Sequence, residues 1–279
     1  MHIIIKRTLW SLLIAALAMV LVAVSLMVWM GVAKKGIPGP DAVIALAALE
    51  DNPAVQADYG ELFTLRPTAV APKAGLIIYP GAHADPRAYV QVMTRIAEAG
   101  YLAVATEMPL GYAFLAPDRA EDVYRAYPNI QHWFLAGHSL GGAMAGRYAA
   151  THGDKLAGLA FWDAFPPDYN SLADSNVPTI MLYRATLDGE PEEKFKEKQH
   201  LFPKATDWVP ILGGDHKQFG SGQGGMFKEF GMFIRGMDEQ EWEATQWKPM
   251  ISRDEQQAII VKAMLAWFEQ TLAAQATDQ

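Results

Sequence analysis

Trp133-Phe134-Leu135-Ala136-Gly137-His138-Ser139-Leu140-Gly141-Gly142 is the stretch on which the reading of this chain turns. The apolar residues 133–136 predict a strand, and Gly142, Ala143 and Ala145 continue as the small-residue start of a helix reaching about His152. Between them lies G-x-S-x-G. A serine set between a strand and a helix is held on a sharp turn with its hydroxyl exposed above the sheet, and the next N–H sits at a helix N-terminus. Gly137 and Gly141 suit that turn because a side chain would crowd the approach of helix to strand. The pentapeptide alone also fits a tight turn with an idle serine; its setting favours a nucleophile.

Outward from this point, short apolar runs alternate with longer amphipathic ones. Strands are expected at 62–67, as an antiparallel edge, and at 75–79, 101–105, 132–136, 156–162, 177–183 and 208–212. Helices are expected at 42–49, 86–99, 117–127, 190–201 and 253–270. Ser252 and Glu255 have the spacing of a capping box at the start of the last one. Strands that are apolar almost throughout, alternating with helices, imply an α/β fold with a mostly parallel sheet covered on both sides. Ligands should then collect at the carboxyl ends of the strands.

A serine hydroxyl needs an adjacent base, and the base needs a third group to orient it. Of the seven histidines, His2 precedes the apolar N-terminal run, His132 begins a strand, and His152 and His200 belong to helix ends. His138 neighbours the serine and reads as a shape-filling residue. His216 follows Ile211-Leu212-Gly213-Gly214-Asp215, a strand running into glycines, which suits a loop that carries an imidazole over the sheet edge. It is the expected general base. For the acid, Asp188 is favoured because it follows the strand preceding the histidine-bearing one. Asp163, which ends the strand before that, is the alternative, and Asp215 reads as a loop-shaping residue.

The developing oxyanion needs two donors. Leu140 N–H supplies one, and the loop Tyr79-Pro80-Gly81-Ala82-His83 should supply the other, from Ala82 N–H or, failing that, His83 N–H. The His83 side chain is a candidate for the pocket lining. No metal site or cofactor is expected.

These segments resemble an α/β-hydrolase of the compact branch that includes dienelactone-hydrolase-like and small serine esterase-like proteins. The likeness rests on Ile77-Ile78-Tyr79-Pro80-Gly81-Ala82, the nucleophile motif with Gly142, Pro178-Thr179-Ile180-Met181-Leu182-Tyr183 with Asp188-Gly189, and residues 213–220 around His216. It implies an α/β-hydrolase fold and acyl hydrolysis through an acyl-enzyme, with Ser139, Asp188 and His216 as the triad. Two departures matter. Pro80-Gly81 stands where many members have His-Gly, and the chain has no cysteine, whereas dienelactone hydrolases proper use a cysteine nucleophile. The resemblance therefore points to a serine esterase.

Residues 9–33 are different material. They carry no charge, and as a helix they extend about 37 Å, more than a hydrocarbon core of about 30 Å. Trp10 and Trp29 lie near the two ends, where indoles favour the interface. A cleaved signal peptide is the rival reading, but the run is longer than an ordinary h-region and Ala33-Lys34-Lys35 makes a poor processing site. Residues 1–35 are thus expected to be a membrane anchor engaging the bilayer through 9–33, and 36–279 an α/β-hydrolase domain outside the cytoplasm. The net charge is −8 with scattered basic residues, which argues against a nucleic-acid partner.

Residues 217–251 follow the base without an evident regular pattern. Their glycines and aromatics suggest either a segment packed on the side of the domain or a flap forming an apolar acyl pocket, with Phe227 and Trp242 as candidate pocket residues. The leading expectation is a serine hydrolase acting on a small ester or other acyl substrate. A non-catalytic binding protein on the same scaffold and a serine peptidase or amidase are the alternatives.

Overall fold

A computed structural model of the chain describes residues 2–33, 35–223, 231–232, 234–245 and 247–277. In chain order its principal elements are α1 (His2–Ala33), β1 (Ile37–Pro38), α2 (Pro40–Ala48), β2 (Val55–Tyr59), β3 (Leu62–Pro67), β4 (Gly75–Tyr79), α3 (Val90–Glu98), β5 (Leu102–Thr106) and α4 (Ala120–Ala126). There follow β6 (Trp133–His138), α5 (Leu140–His152), β7 (Gly158–Trp162), β8 (Thr179–Ala185), α6 (Glu193–Lys198), β9 (Asp207–Leu212), β10 (Gly222–Gln223), α7 (Glu239–Thr245) and α8 (Arg253–Thr277).

Every residue of β4 through β8 is buried, and the two-residue period of a strand sorts them onto two faces. Leu76, Ile78, Phe134, Ala136, Trp162 and Leu182 pack with α3 and α8. Ile77, Tyr79, Leu135, Phe161, Met181 and Tyr183 pack on the opposite face with α4 and α5. Double coverage explains the continuous apolar runs. The sheet has the order β2-β3-β5-β4-β6-β7-β8-β9; β2, β3 and β5 pair antiparallel, and the rest is parallel. This is an α/β-hydrolase fold with a mixed, mostly parallel sheet.

The expected edge strand at 62–67 is one position in from the edge. β2 lies outside it, and only Val55 of β2 is buried, so its sequence lacks the apolar run that marks the inner strands. The expected helix at 86–99 opens as a 3-10 turn, Pro86–Tyr89, before α3. Asp85 caps that turn by accepting from Arg87 N–H. The capping box of α8 forms: Ser252 N–H donates to Glu255, and Glu255 N–H donates to Ser252 Oγ.

α1 contains an apolar span, Lys6–Trp29, with a mean hydropathy of 2.8, long and apolar enough to cross a membrane. Beyond it the chain is tied to the domain. Gly31 packs on Leu110, Lys35 pairs with Glu107, and β1 forms a small antiparallel sheet with β10.

Candidate active site

Ser139 sits between β6 and α5 at φ 53° and ψ −122°, a backbone conformation that non-glycine residues adopt only where the surroundings impose it. The imposing contacts are close. A Cβ on Gly141 would lie 2.1 Å from Tyr79 O, and one on Gly137 would lie 2.4 Å from Gly142 Cα. The strand and helix can meet at this distance only because these positions lack side chains.

His216 enters from the far side of the sheet, in the turn after β9. Its Nδ1 lies 2.6 Å from Asp163 Oδ2. An ionised carboxylate only accepts, so Nδ1 carries the proton and Nε2 is the basic nitrogen. Asp163 follows β7 directly, at φ 51°, and its side chain is fully buried. Arg184 of β8 holds the same carboxylate twice, through its N–H to Oδ1 (3.0 Å) and Nη1 to Oδ2 (2.7 Å). Burial pushes the Asp163 carboxyl up, but the hydrogen bond from His216 and the charges of His216 and Arg184 outweigh it and leave the group below the usual range. Glu192 engages the outer side of Arg184 through Nε and Nη2. The result is a row of alternating charge, Glu192–Arg184–Asp163, that ends on the imidazole of His216.

The geometry therefore corrects the choice of acid. Asp188 is not brought to His216. It lies in an exposed turn after β8, where it accepts from Thr186 Oγ1 and Glu190 N–H, so its carboxylate serves its own loop. Arg184 had a legible signal: a charge inside the buried run Ile180-Met181-Leu182-Tyr183-Arg184-Ala185 demands a buried counter-charge. Asp163, beside it on the neighbouring strand, is that partner.

His138 organises the rest of the site. Its Nε2 lies 2.9 Å from the His216 carbonyl oxygen and its Nδ1 2.9 Å from Tyr89 Oη. A carbonyl cannot donate, so Nε2 bears the proton, Nδ1 accepts from the tyrosine, and the ring is neutral. Burial together with the neighbouring His216 lowers its pKa to about 3. Tyr89 Oη in turn accepts from Gly81 N–H at 3.0 Å. One neutral imidazole, next to Ser139 in the chain, thus links the loop after β4, through Tyr89, to the backbone of His216. The reading of His138 as mere filling missed this role, and nothing in the sequence marked Tyr89.

The loop after β4 presents Ala82 N–H between two occupied neighbours. Gly81 N–H is taken by Tyr89, and His83 N–H donates to Gly111 O at 2.8 Å. That removes His83 N–H as the second oxyanion donor. Ala82 N–H and Leu140 N–H have no protein acceptor among the described residues. A cavity of about 310 Å³ lies here, lined by Ala82, Tyr89, Ser139 and His216, by the side wall of His83, and by Ile37 of β1. Its size is at the lower end of small-molecule sites.

Trp242 does not reach the cavity. It packs on Gly231 and against Arg235 within its own segment and is not among the residues lining the cavity. Phe227 lies outside the described residues. Trp247 instead serves the base loop, donating from Nε1 to Gly214 O at 2.7 Å. Among the described residues no cluster of three or more His, Asp or Glu is arranged to hold a metal ion.

Fold and site define a hydrolase scaffold with a serine elbow. The profile of the alpha/beta hydrolase family matches residues 75–228, and the chain belongs to that family. No curated protein sequence matches it significantly. Among solved structures, it is similar to a ferulic acid esterase from Streptomyces cinnamoneus, with 17% identity and a TM-score of 0.51 over 74% of this chain and 68% of that one. It is also similar to TT1662 from Thermus thermophilus, with 21% identity and a TM-score of 0.44 over 58% of this chain and 90% of that one. At these identities the likeness concerns the fold.

Proposed function

We propose that the chain is a membrane-anchored serine hydrolase that cleaves carboxylic esters through an acyl-enzyme. The observation that carries this reading is the convergence, at one cavity, of a strained serine, an Asp-oriented imidazole and two unengaged N–H donors. In the proposed reaction Ser139 Oγ attacks the ester carbonyl while His216 Nε2 takes its proton. The carbonyl electrons collect on oxygen, facing Leu140 N–H and Ala82 N–H. Collapse expels the alcohol, which leaves with the proton from His216, and a water activated by the same nitrogen then hydrolyses the acyl-serine. Asp163 stays ionised throughout and fixes the tautomer. Family membership supports hydrolase chemistry. An ester is favoured over a peptide because the cavity is small.

A fluorophosphonate probe tests the reading. It should modify Ser139, as located by peptide mapping, and Ser139→Ala should neither label nor hydrolyse a short-chain aryl ester. Folded protein that fails to label would favour a non-catalytic binding role. The apolar span of α1 and its flanking tryptophans support an uncleaved anchor; the extracytoplasmic side is proposed because an N-terminal anchor followed by one domain most often acts as a signal anchor. Carbonate washing should leave the protein in membranes, and protease access in sealed vesicles reports the side.

A further inference from the structure

We propose that the substrate is an amphiphilic acyl ester taken from the surface of the bilayer that holds α1. This deepens the serine hydrolase reading and rests on it. The argument starts from the stem that joins the anchor to the domain, because the stem is part of the cavity. Gly36 and Ile37 line it together with Ser139 and His216. Gly36 N–H donates to His83 O at 2.7 Å, one residue from the Ala82 donor. β1 pairs with β10, placing Ile37 opposite Gln223, and both of these residues line the cavity.

The distance from the apolar span to this wall is short. Trp29 ends the span, α1 ends at Ala33, and Gly36 is three residues further on. About 6 Å of helix and at most about 11 Å of extended chain separate them. The separation is also fixed rather than slack. Gly31 sits so tightly on Leu110 that a Cβ would lie 2.5 Å from the leucine Cβ, and Lys35 is paired with Glu107. The cavity wall formed by Gly36 and Ile37 therefore lies within about 17 Å of the end of the apolar span.

Beside the Lys35–Glu107 pair, exposed apolar residues lie close to the stem. The turn that grips α1 runs on into Phe114 and Leu115, which are 42% and 41% exposed. A ring series connects it to the cavity: Phe114 lies 5.1 Å from Tyr112, and Tyr112 lies 4.5 Å from His83, centroid to centroid. Ile37 in the stem itself, and Val43 and Ile44 on α2, the helix that follows it, are also exposed. Isolated exposed apolar residues are ordinary, but a group of them around the root of a membrane helix is suited to the interfacial layer. An ester whose chain is dissolved in the bilayer could present its carbonyl to Ser139 there without passing through water.

The test uses the full chain reconstituted into phosphatidylcholine vesicles. 4-Methylumbelliferyl oleate is supplied either in the same vesicles or in separate, protein-free ones, with 4-methylumbelliferyl butyrate as the water-borne ester. Oleate in the shared bilayer should be hydrolysed at least about ten-fold faster than oleate in separate vesicles. Phe114→Asp with Leu115→Asp should reduce the shared-bilayer rate several-fold and leave butyrate turnover unchanged. Equal oleate rates in the two arrangements, or turnover of butyrate alone, would overturn the proposal and leave the hydrolase reading standing. Absence of fluorophosphonate labelling at Ser139 would instead overturn the reading beneath it.

Discussion

Asp163 and Asp188 end or follow adjacent strands, and asparagine at each separates their roles without changing shape. Asp163→Asn should lower kcat by about 10⁴-fold, because the amide favours the wrong imidazole tautomer. Asp188→Asn should leave kcat/KM within about two-fold of the parent, since the exposed carboxylate engages only Thr186 and Glu190. Steady-state kinetics on one ester distinguish them, and the opposite pattern would restore Asp188 as the acid. His138 has a consequence for stability. Its folded pKa of about 3 lies below the unfolded value of about 6.5. The unfolded chain therefore binds the extra proton between these limits, so this contribution is complete above about pH 6.5 and is lost as the pH falls toward 3. At pH 4.5 the loss is about 2–3 kcal/mol. Urea unfolding in detergent at pH 7 and pH 4.5 should show it, and His138→Gln should flatten the dependence.

The β6–α5 elbow is the element on which the site depends. Gly141→Ala should abolish labelling and sharply lower Tm, because the new methyl group meets the carbonyl oxygens of Tyr79 and Pro80, neither of which can retreat from a central strand and its loop. Circular dichroism melts alongside probe labelling check it. The inner strands and the elbow were legible in the sequence because burial on both faces writes an uninterrupted apolar run, and because a sharp turn demands glycine. β2 was not, since a mostly exposed edge strand has little apolar patterning to show. Position along the sequence also misled the choice between the two acids. Chain order makes Asp188 the natural neighbour of His216, whereas register sets Trp162 beside His138 and so delivers Asp163 to the centre of the sheet. Side-chain networks such as Tyr89–His138 depend on three-dimensional approach and leave no periodic trace.

At the scale of the whole molecule, the apolar helix and the hydrolase-fold domain meet through a stem that is both tether and wall. The hydrogen bond from Gly36 to His83 and the β1–β10 pairing make Gly36 and Ile37 part of the cavity wall, while none of the described residues among 1–35 lines it. A chain beginning at Gly36 should therefore stay reactive toward the fluorophosphonate probe. One beginning at Pro40 should label at least several-fold more slowly, because it lacks Gly36 and Ile37; equal labelling rates would show the stem to be dispensable. Proteolytic shedding would then have two different outcomes separated by only a few peptide bonds: a cut just before Gly36 would liberate a diffusible, competent hydrolase, and a cut just before Pro40 would liberate one several-fold slower. The juxtamembrane sequence would act as a fuse whose position decides whether release spreads the activity or blunts it.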